Sequence, residues 1–315
     1  MRLLIGIPTY RRPAMLARLL ETLRAQQGLE GHDLHVFVAD NDPVGREGVD
    51  TVHALAPGYP HSLIASPVLG KGISAVRNAI LEQARTGGFN HLAMIDDDEW
   101  AEPHWLASLL AMANETGADV VGGPVVYRFR TLPSRDVVVS GAFPDKTKRE
   151  SGPVDMIDAT GNVLLNCASL ARIGWPQFDD DFGLTGGGDK EYFARLKLAG
   201  LRFAWCAEAL ASEDVPADRT SARAVLRRAY RIGNADMRLL VKYGGPAACA
   251  KSLLLALCAQ GFAAMLFPLF LTQRRMWLGR KVARSAGKIS ALFDRRPQVY
   301  GELPMLRASS PGIRS

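Results

Sequence analysis

The stretch His91-Leu92-Ala93-Met94-Ile95-Asp96-Asp97-Asp98-Glu99-Trp100 decides the fold. Its first half is short and apolar, the pattern of a strand buried on both faces of a sheet. Its second half sets four carboxylates at that strand's carboxyl end, where charge leaves water only against compensation. A bound cation would compensate it, and the crevice beyond the carboxyl ends of the strands is where open α/β sheets take ligands. If Asp96 to Asp98 stay extended, Asp96 and Asp98 point to one side and Asp97 to the other. Two carboxylates on one side suit a hard, oxygen-seeking ion such as Mg²⁺ or Mn²⁺. The competing reading is a solvated acidic turn before a helix that starts at Pro103.

Outward from this stretch, strands and helices alternate. Leu3–Ile7 reads as a strand, Pro8 to Pro13 as a turn, and Ala14–Gln26 as a helix with Leu16, Leu19, Leu20 and Leu23 on one face. The turn lacks G-x-G-x-x-G, which disfavours a dinucleotide site. A second strand, Leu34–Ala39, again ends in acids, Asp40-Asn41-Asp42; an Asx-turn is the bland role for Asp40. His61–Ala65 reads as a third strand. Gly70 to Ser74 lead into a helix, Ala75–Arg85, with Ser74 as its cap and Arg77 in its first turn. Beyond the acidic stretch come a helix around His104–Asn114 and a strand Asp119–Tyr127. The pattern predicts a mainly parallel central sheet with crossover helices.

Thr131–Pro153 is polar and reads as a mobile loop of the kind that closes over substrates. A strand follows, centred on Val163–Leu165. Gly186-Gly187-Gly188-Asp189 opens a helix that runs to about Ala199, with Asp189 expected at its cap. A carboxylate presented there, after glycines that let a ligand come close, suits a general base. Leu201–Ala207 reads as a strand and Ser212–Pro216 as a turn. Thr220–Gly233 reads as a helix bearing Arg223, Arg227, Arg228 and Arg231.

The net charge of +6 is unevenly spread: residues 273 to 315 carry ten Lys/Arg against Asp294 and Glu302, leaving the other 272 residues at about −2. The basicity therefore belongs to the tail. The four cysteines have no metal-ligand spacing and read as reduced thiols. Ser252–Leu271 has no charged residue and is just long enough to span a bilayer, but Gln260-Gly261 and Pro268 interrupt it. A single span would also separate a basic tail from a catalytic domain that both belong in the cytoplasm. The favoured reading is a segment lying in or dipping into the cytoplasmic leaflet, held by an anionic membrane surface. A true span, or a core or homo-oligomer interface helix, are the alternatives. Nucleic acid is not the expected partner of the tail. Residues 1–245 are expected to form the catalytic domain, 246–290 the membrane-association segment and 291–315 a flexible tail.

Taken together, IGIPTYRRP, VADND, GKGISAVRNAIL, MIDDDEW, FGLTGGGDKEYFARLKLAG and SEDVPADRTSARAVLRRAYRIGN resemble, in order and spacing, a family 2 glycosyltransferase of the GT-A fold. The likeness is to the bacterial exopolysaccharide group typified by succinoglycan glucosyltransferases, and it runs from about Leu3 to Asn234. The resemblance implies an inverting transferase that moves a sugar from a nucleoside-diphosphate sugar, with UDP as the expected nucleotide. Its expected acceptor is a glycan or polyprenyl-linked oligosaccharide, at the cytoplasmic face of a bacterial inner membrane. By the same likeness Pro8, Thr9 and Arg11 belong to the nucleotide pocket, Asp40 meets the base and Arg77 lies near the nucleotide. Asp96 and Asp98 match the D-x-D acids, the first toward ribose or ion and the second on the metal. Asp97 makes the run continuous and leaves the register open by one, so it too counts with the donor-binding residues. Asp189 matches the catalytic base and Glu191 its neighbour in the same motif. The chain departs from some relatives in having no His near Asp214 as a further metal ligand; Glu213 or Asp214 could substitute. The rival readings are a sugar nucleotidyltransferase, for which PTYRRP is a poor phosphate loop, and a non-catalytic, membrane-associated metal-binding scaffold.

Overall fold

The structure, a computed structural model, describes residues 1–183, 185–266 and 275–293. Most of the expected flexible tail, from residue 294, and the end of the apolar run, residues 267–271, lie outside the described residues.

The central sheet grows from the apolar strands. Strand β1 (Arg2–Thr9) pairs in parallel with β2 (Asp33–Asp40) on one side and with β4 (His91–Ile95) on the other; β3 (Ser62–Pro67) extends it beyond β2. Helices α1 (Pro13–Arg24), α2 (Glu47–Leu55) and α3 (Ile73–Thr86) make the crossovers. Each offers an apolar stripe, Leu16, Leu19, Leu20 and Leu23 on α1 and Val76, Ile80, Leu81 and Ala84 on α3, and these bury against opposite sheet faces.

Beyond β4 the sheet becomes mixed. Strand β9 (Asn162–Asn166) runs antiparallel to both β4 and β6 (Val120–Gly122). Strand β10 (Phe203–Trp205) is parallel to β6, and β8 (Gly152–Val154) closes the edge antiparallel to β10. The order is β3-β2-β1-β4-β9-β6-β10-β8, with four of seven pairings parallel. A second sheet, β5 (Glu99–Ala101), β11 (Ala211–Val215) and β7 (Val125–Phe129), stands beside the carboxyl end of β4. This sheet accounts for two departures from the sequence reading. The expected strand Asp119–Tyr127 is divided between the two sheets, with Gly123-Pro124 at the break. Ser212–Val215, expected as a turn, is strand because β5 and β7 pair with it from either side.

The expected mobile loop is ordered as helix α5 (Arg135–Val139), a 3₁₀ turn (Lys146–Lys148) and β8. Val137 and Ala142 bury with Val225 of α8 (Ala222–Leu239), so the loop is pinned from behind. Helices α4 (Trp105–Thr116), α6 (Cys167–Arg172) and α7 (Gly188–Leu198) complete the layers. After α8, one π-helical turn (Leu240–Gly244) leads into α9 (Gly245–Leu266), and α10 (Arg275–Ala291) returns along α8 and α9.

Candidate active site

Strand β4 ends at Ile95, and the chain turns at once, with the Glu99 amide donating to the Asp96 carbonyl at 3.1 Å. The three aspartates are therefore not extended, and the expected alternation is replaced by a turn that sorts them differently. Asp97 is the committed one: Oδ2 accepts from Thr9 Oγ1 at 2.8 Å and Oδ1 from Arg12 Nη1 at 2.9 Å, and the residue is buried. Asp96 meets Arg77 Nη2 through Oδ1 at 3.5 Å, while its Oδ2 has no hydrogen-bond partner among the described residues. Asp98 accepts both Arg12 Nη1, at 2.9 Å, and Arg219 Nη2, at 3.2 Å, on the single oxygen Oδ2, leaving Oδ1 open. The first and third acids each keep a free acceptor; the middle one is scaffold. Asp97, counted with the donor-binding residues by resemblance, is thus tied to Thr9 and Arg12 and holds the turn.

Asp189 comes to the same place from α7. Its helix is capped by Gly187 (φ 89°), not by Asp189, whose side chain is thereby released. Gly187 turns the chain against Ala235 of α8, where a Cβ would stand 2.5 Å from that of Ala235. Asp189 Oδ1 accepts from Arg77 Nη1, and Oδ2 from the Thr160 amide and hydroxyl at 3.3 and 3.1 Å. Arg77, nearly buried and facing the Phe178 ring, thus bridges Asp96 and Asp189 across 93 residues of sequence. Ser74, expected to cap α3, instead donates to the Asp179 carbonyl at 2.8 Å, and Gly72 takes the cap position.

Asp96, Glu99, Asp189 and Glu213 line one cleft of about 490 Å³, which continues past Tyr127 and Trp205. Burial, with the crowding of acids behind it, governs their protonation. Burial, reinforced by Asp98, Asp189 and Asp97 and opposed by Arg77, pushes the Asp96 carboxyl up to about 7. Burial, with Asp96 and Asp98, raises Glu99 well above the usual carboxylate range. Glu213 is raised by burial and by Asp98, against Arg219 and Arg228. Arg12, although burial works against its charge, is held protonated by Asp97 and Asp98. Gly161 makes the close packing possible: a Cβ there would stand 2.5 Å from Glu99 Oε1 and 3.1 Å from Asp96 Oδ2.

Among the described residues no three carboxylates, imidazoles or thiols already converge as a metal-ligand set. The donors present still fit Mg²⁺ or Mn²⁺. They are oxygens only, with Asp96 Oδ2 and Asp98 Oδ1 each without a hydrogen-bond partner among the described residues, and such ions take one or two carboxylates and complete their shell from substrate phosphates and water. Asp96 and Asp98 are the residues that would hold the ion. Glu213 lines the cleft, while Asp214, paired with Arg18 at 2.8 Å and Arg130 at 3.5 Å, lines an adjoining pocket of about 210 Å³ together with Asp98 and Glu99.

Two expected site residues are elsewhere. Asp40 is fully buried; Oδ1 accepts from the Asp42 amide, and Oδ2 from the amides of Gly48 and Val49, at 2.9 to 3.2 Å. It forms an Asx-turn and caps the following helix from the end of β2. Glu191 is also fully buried, held by Arg195 at 2.9 and 3.0 Å, Lys242 at 2.8 Å and Tyr243 Oη at 2.5 Å. Residues two apart on a helix do not share a face, so Glu191 cannot join Asp189 in the cleft. Pro8 and Thr9 are buried at the end of β1, beside the acidic turn rather than in the 490 Å³ cleft. Arg11 is exposed next to them, stacked 5.0 Å from the Tyr10 ring and paired with Asp42 at 2.6 Å, which holds the Asp42 carboxyl low. Arg12, Thr160, Gly161 and Arg219 were not singled out by sequence reasoning. Only the T-G-N run after Ala159, small and polar just before a strand, could have drawn attention to part of that set.

Residues 4–174 match the model of Glycosyl transferase family 2. Over 295 residues the chain is 33% identical to the succinoglycan biosynthesis protein ExoM of Rhizobium meliloti (strain 1021), covering 92% of each sequence. Among solved structures it aligns with the mannosyltransferase PcManGT from Pyrobaculum calidifontis in complex with GDP-Man and Mn²⁺, at TM-score 0.61, 17% identity, and 93% and 87% of the two chains. With S. aureus TarS 1-349 in complex with UDP-GlcNAc the TM-score is 0.55 at 14% identity, over 94% and 93%. These structural likenesses are of fold. The sequence matches carry the assignment: the chain is a family 2 glycosyltransferase, built on the GT-A fold.

Proposed function

We propose that the protein is an inverting, metal-dependent glycosyltransferase that moves a sugar from a nucleoside-diphosphate sugar to a hydroxyl of a glycan or lipid-linked oligosaccharide in surface polysaccharide synthesis. The observation that carries the reading is the Arg77 bridge, which brings the acidic turn and Asp189 into contact with one guanidinium. The relative's name, succinoglycan biosynthesis protein, supports the polysaccharide context. The neighbours' ligands, UDP-GlcNAc in one and GDP-Man with Mn²⁺ in the other, support a nucleotide-sugar donor and leave the base to experiment.

The donor's nucleotide would sit over the carboxyl ends of β1 and β2, where Tyr10 and Arg11 are exposed, as ligands do in open α/β sheets. A bound Mg²⁺ or Mn²⁺ supplies Lewis-acid stabilisation of the departing diphosphate. Asp96 and Asp98 are the residues that would hold such an ion, while Asp97 keeps the turn fixed on Thr9 and Arg12. Thr160 orients Asp189 toward the cleft that receives the acceptor. Asp189 takes the proton of the acceptor hydroxyl as its oxygen bonds to the anomeric carbon; the carbon–oxygen bond to the diphosphate breaks, and nucleoside diphosphate leaves. One base and one direct displacement invert the anomeric centre. Release of nucleoside diphosphate from a panel of sugar nucleotides tests this against a non-catalytic scaffold, which would release none.

The same reading seats α9 at the cytoplasmic face of a membrane. Along α9, Ser252, Ala256 and Ala263 are buried, with Gln260 Nε2 donating to the Val282 carbonyl of α10 at 2.9 Å. Leu254, Leu255, Phe262 and Met265 are exposed, an apolar surface with no protein over it among the described residues. The helical run Ala222–Ala263 includes an apolar window long enough to cross a membrane, yet α10, which has no acid of its own, carries Arg275, Arg280, Lys281, Lys288 and Arg284, the last paired with Asp236. Apolar contact flanked by cations suits an anionic lipid surface.

A further inference from the structure

The base-bearing helix α7 is tied to the helices that carry this apolar surface by two charged junctions. In the first, Lys242 and Tyr243 of the π-helical turn, the root of α9, both bond Glu191 Oε1 at 2.8 and 2.5 Å, with Arg195 closing Glu191 from the other side. Lys242 also pairs with Asp179, whose carbonyl receives Ser74 of α3. In the second, Lys190 of α7 meets Asp236 of α8 at 2.6 Å, and Asp236 Oδ2 accepts Arg284 of α10 at 3.1 and 2.5 Å. Lys190 and Glu191 directly follow Asp189. Both carboxylates are buried, so their geometry is dictated by these partners and costs heavily to break.

The far side of the linkage is stiff. Helices α8 and α10 cross through glycines: a Cβ at Gly233 would lie 1.9 Å from the Arg284 carbonyl oxygen, and one at Gly287 2.0 Å from that of Tyr230. Helix α9 is laid on α10 through the Ser252–Lys288 bond at 3.1 Å and the Gln260–Val282 bond. The π-helical turn is the one irregular joint between α8 and α9, and such turns adjust by a residue where function requires it.

We propose that Glu191 and Asp236 are positioning residues that fasten the Asp189-bearing helix to the root of α9, so that seating α9 on an anionic lipid surface sets Asp189 for proton transfer. This rests on the reading of Asp189 as base and of α9 as lipid-seated. The coupling is reciprocal: what orders α7 also favours the seated arrangement of α9.

The test uses the full chain with phosphatidylcholine vesicles, with or without phosphatidylglycerol, and measures kcat and donor KM for nucleoside diphosphate release. Phosphatidylglycerol vesicles should raise wild-type kcat several-fold and leave donor KM unchanged. Lys242→Met should sediment with the vesicles yet show no rise, and Lys242→Arg should recover it. A rise in Lys242→Met by the wild-type factor, or a wild-type kcat indifferent to the vesicles, overturns the proposal. Should Lys242→Met fold poorly, amide exchange in wild-type Gly188–Leu198 decides: slower exchange on the vesicles supports the coupling, and unchanged exchange overturns it. Turnover retained by Asp189→Asn would instead remove the base assignment itself.

Discussion

The chain holds two pairs of acids at the same spacing, Asp96 with Asp98 and Asp189 with Glu191, and it uses them in opposite ways. In the turn after β4 both members keep an open oxygen, Asp96 in the cleft and Asp98 in the pocket beside it, and the residue between them bonds Thr9 and Arg12. On α7 one member faces the cleft and the other is sealed against Lys242, Tyr243 and Arg195. Spacing alone does not fix the role of a carboxylate; the backbone that carries it does, since a helix rotates residues two apart to opposite sides. Four substitutions break or sharpen that contrast.

Asp189→Asn is expected to have the largest effect, a loss of transfer of about 10²–10⁴-fold, the range of a general base, with donor binding by thermal shift retained. Second, Glu191→Ala should act on the fold. Leaving Lys242 and Arg195 without their buried partner should cost about 3 kcal/mol in denaturant unfolding, a loss not shared by Asp189→Asn. Asp97→Ala should fall between the two. It should cost about 1–3 kcal/mol through its two lost bonds and weaken donor binding only through the shifted turn.

The smallest effect sharpens the acid turn by pH. The Asp96 carboxyl is raised from an ordinary 3.8 to about 7, so its contribution to stability is full below pH 3.8 and is lost as pH rises through about 7. Asp96→Asn should therefore stabilise the ligand-free protein at pH 8, by about 1–2 kcal/mol for a partly exposed group, and the gain should vanish near pH 4. The same titration makes divalent-ion binding weaken as pH falls below about 7, because the ion requires the carboxylate. A pH-independent difference between the two proteins would contradict the crowding described for Asp96.

What could be read in the sequence was what depends on near neighbours. The apolar runs of β1, β2 and β4 and the leucine stripe of α1 announced themselves, and so did acids placed directly after strands. Strand β11 was hidden because its partners β5 and β7 lie far away in sequence, and Ser212–Val215 has no apolar alternation of its own. At Asp40 the sequence could not separate the two roles, because a strand-end acid that caps a following helix looks the same as one that meets a ligand. Arg12, Thr160 and Arg219 acquire meaning only once the fold places them on Asp97, Asp189 and Asp98. The ordering of residues 135–142 likewise depends on Val225 of α8, more than eighty residues on.

The most direct test of the central claim is thermal shift with UDP and GDP, with and without Mn²⁺, on the wild type, Asp98→Ala and Asp189→Asn. A nucleotide shift that requires Mn²⁺, is lost in Asp98→Ala and is kept in Asp189→Asn is the expected result. A full Mn²⁺-dependent shift in Asp98→Ala would contradict the assignment of the acidic turn to the metal.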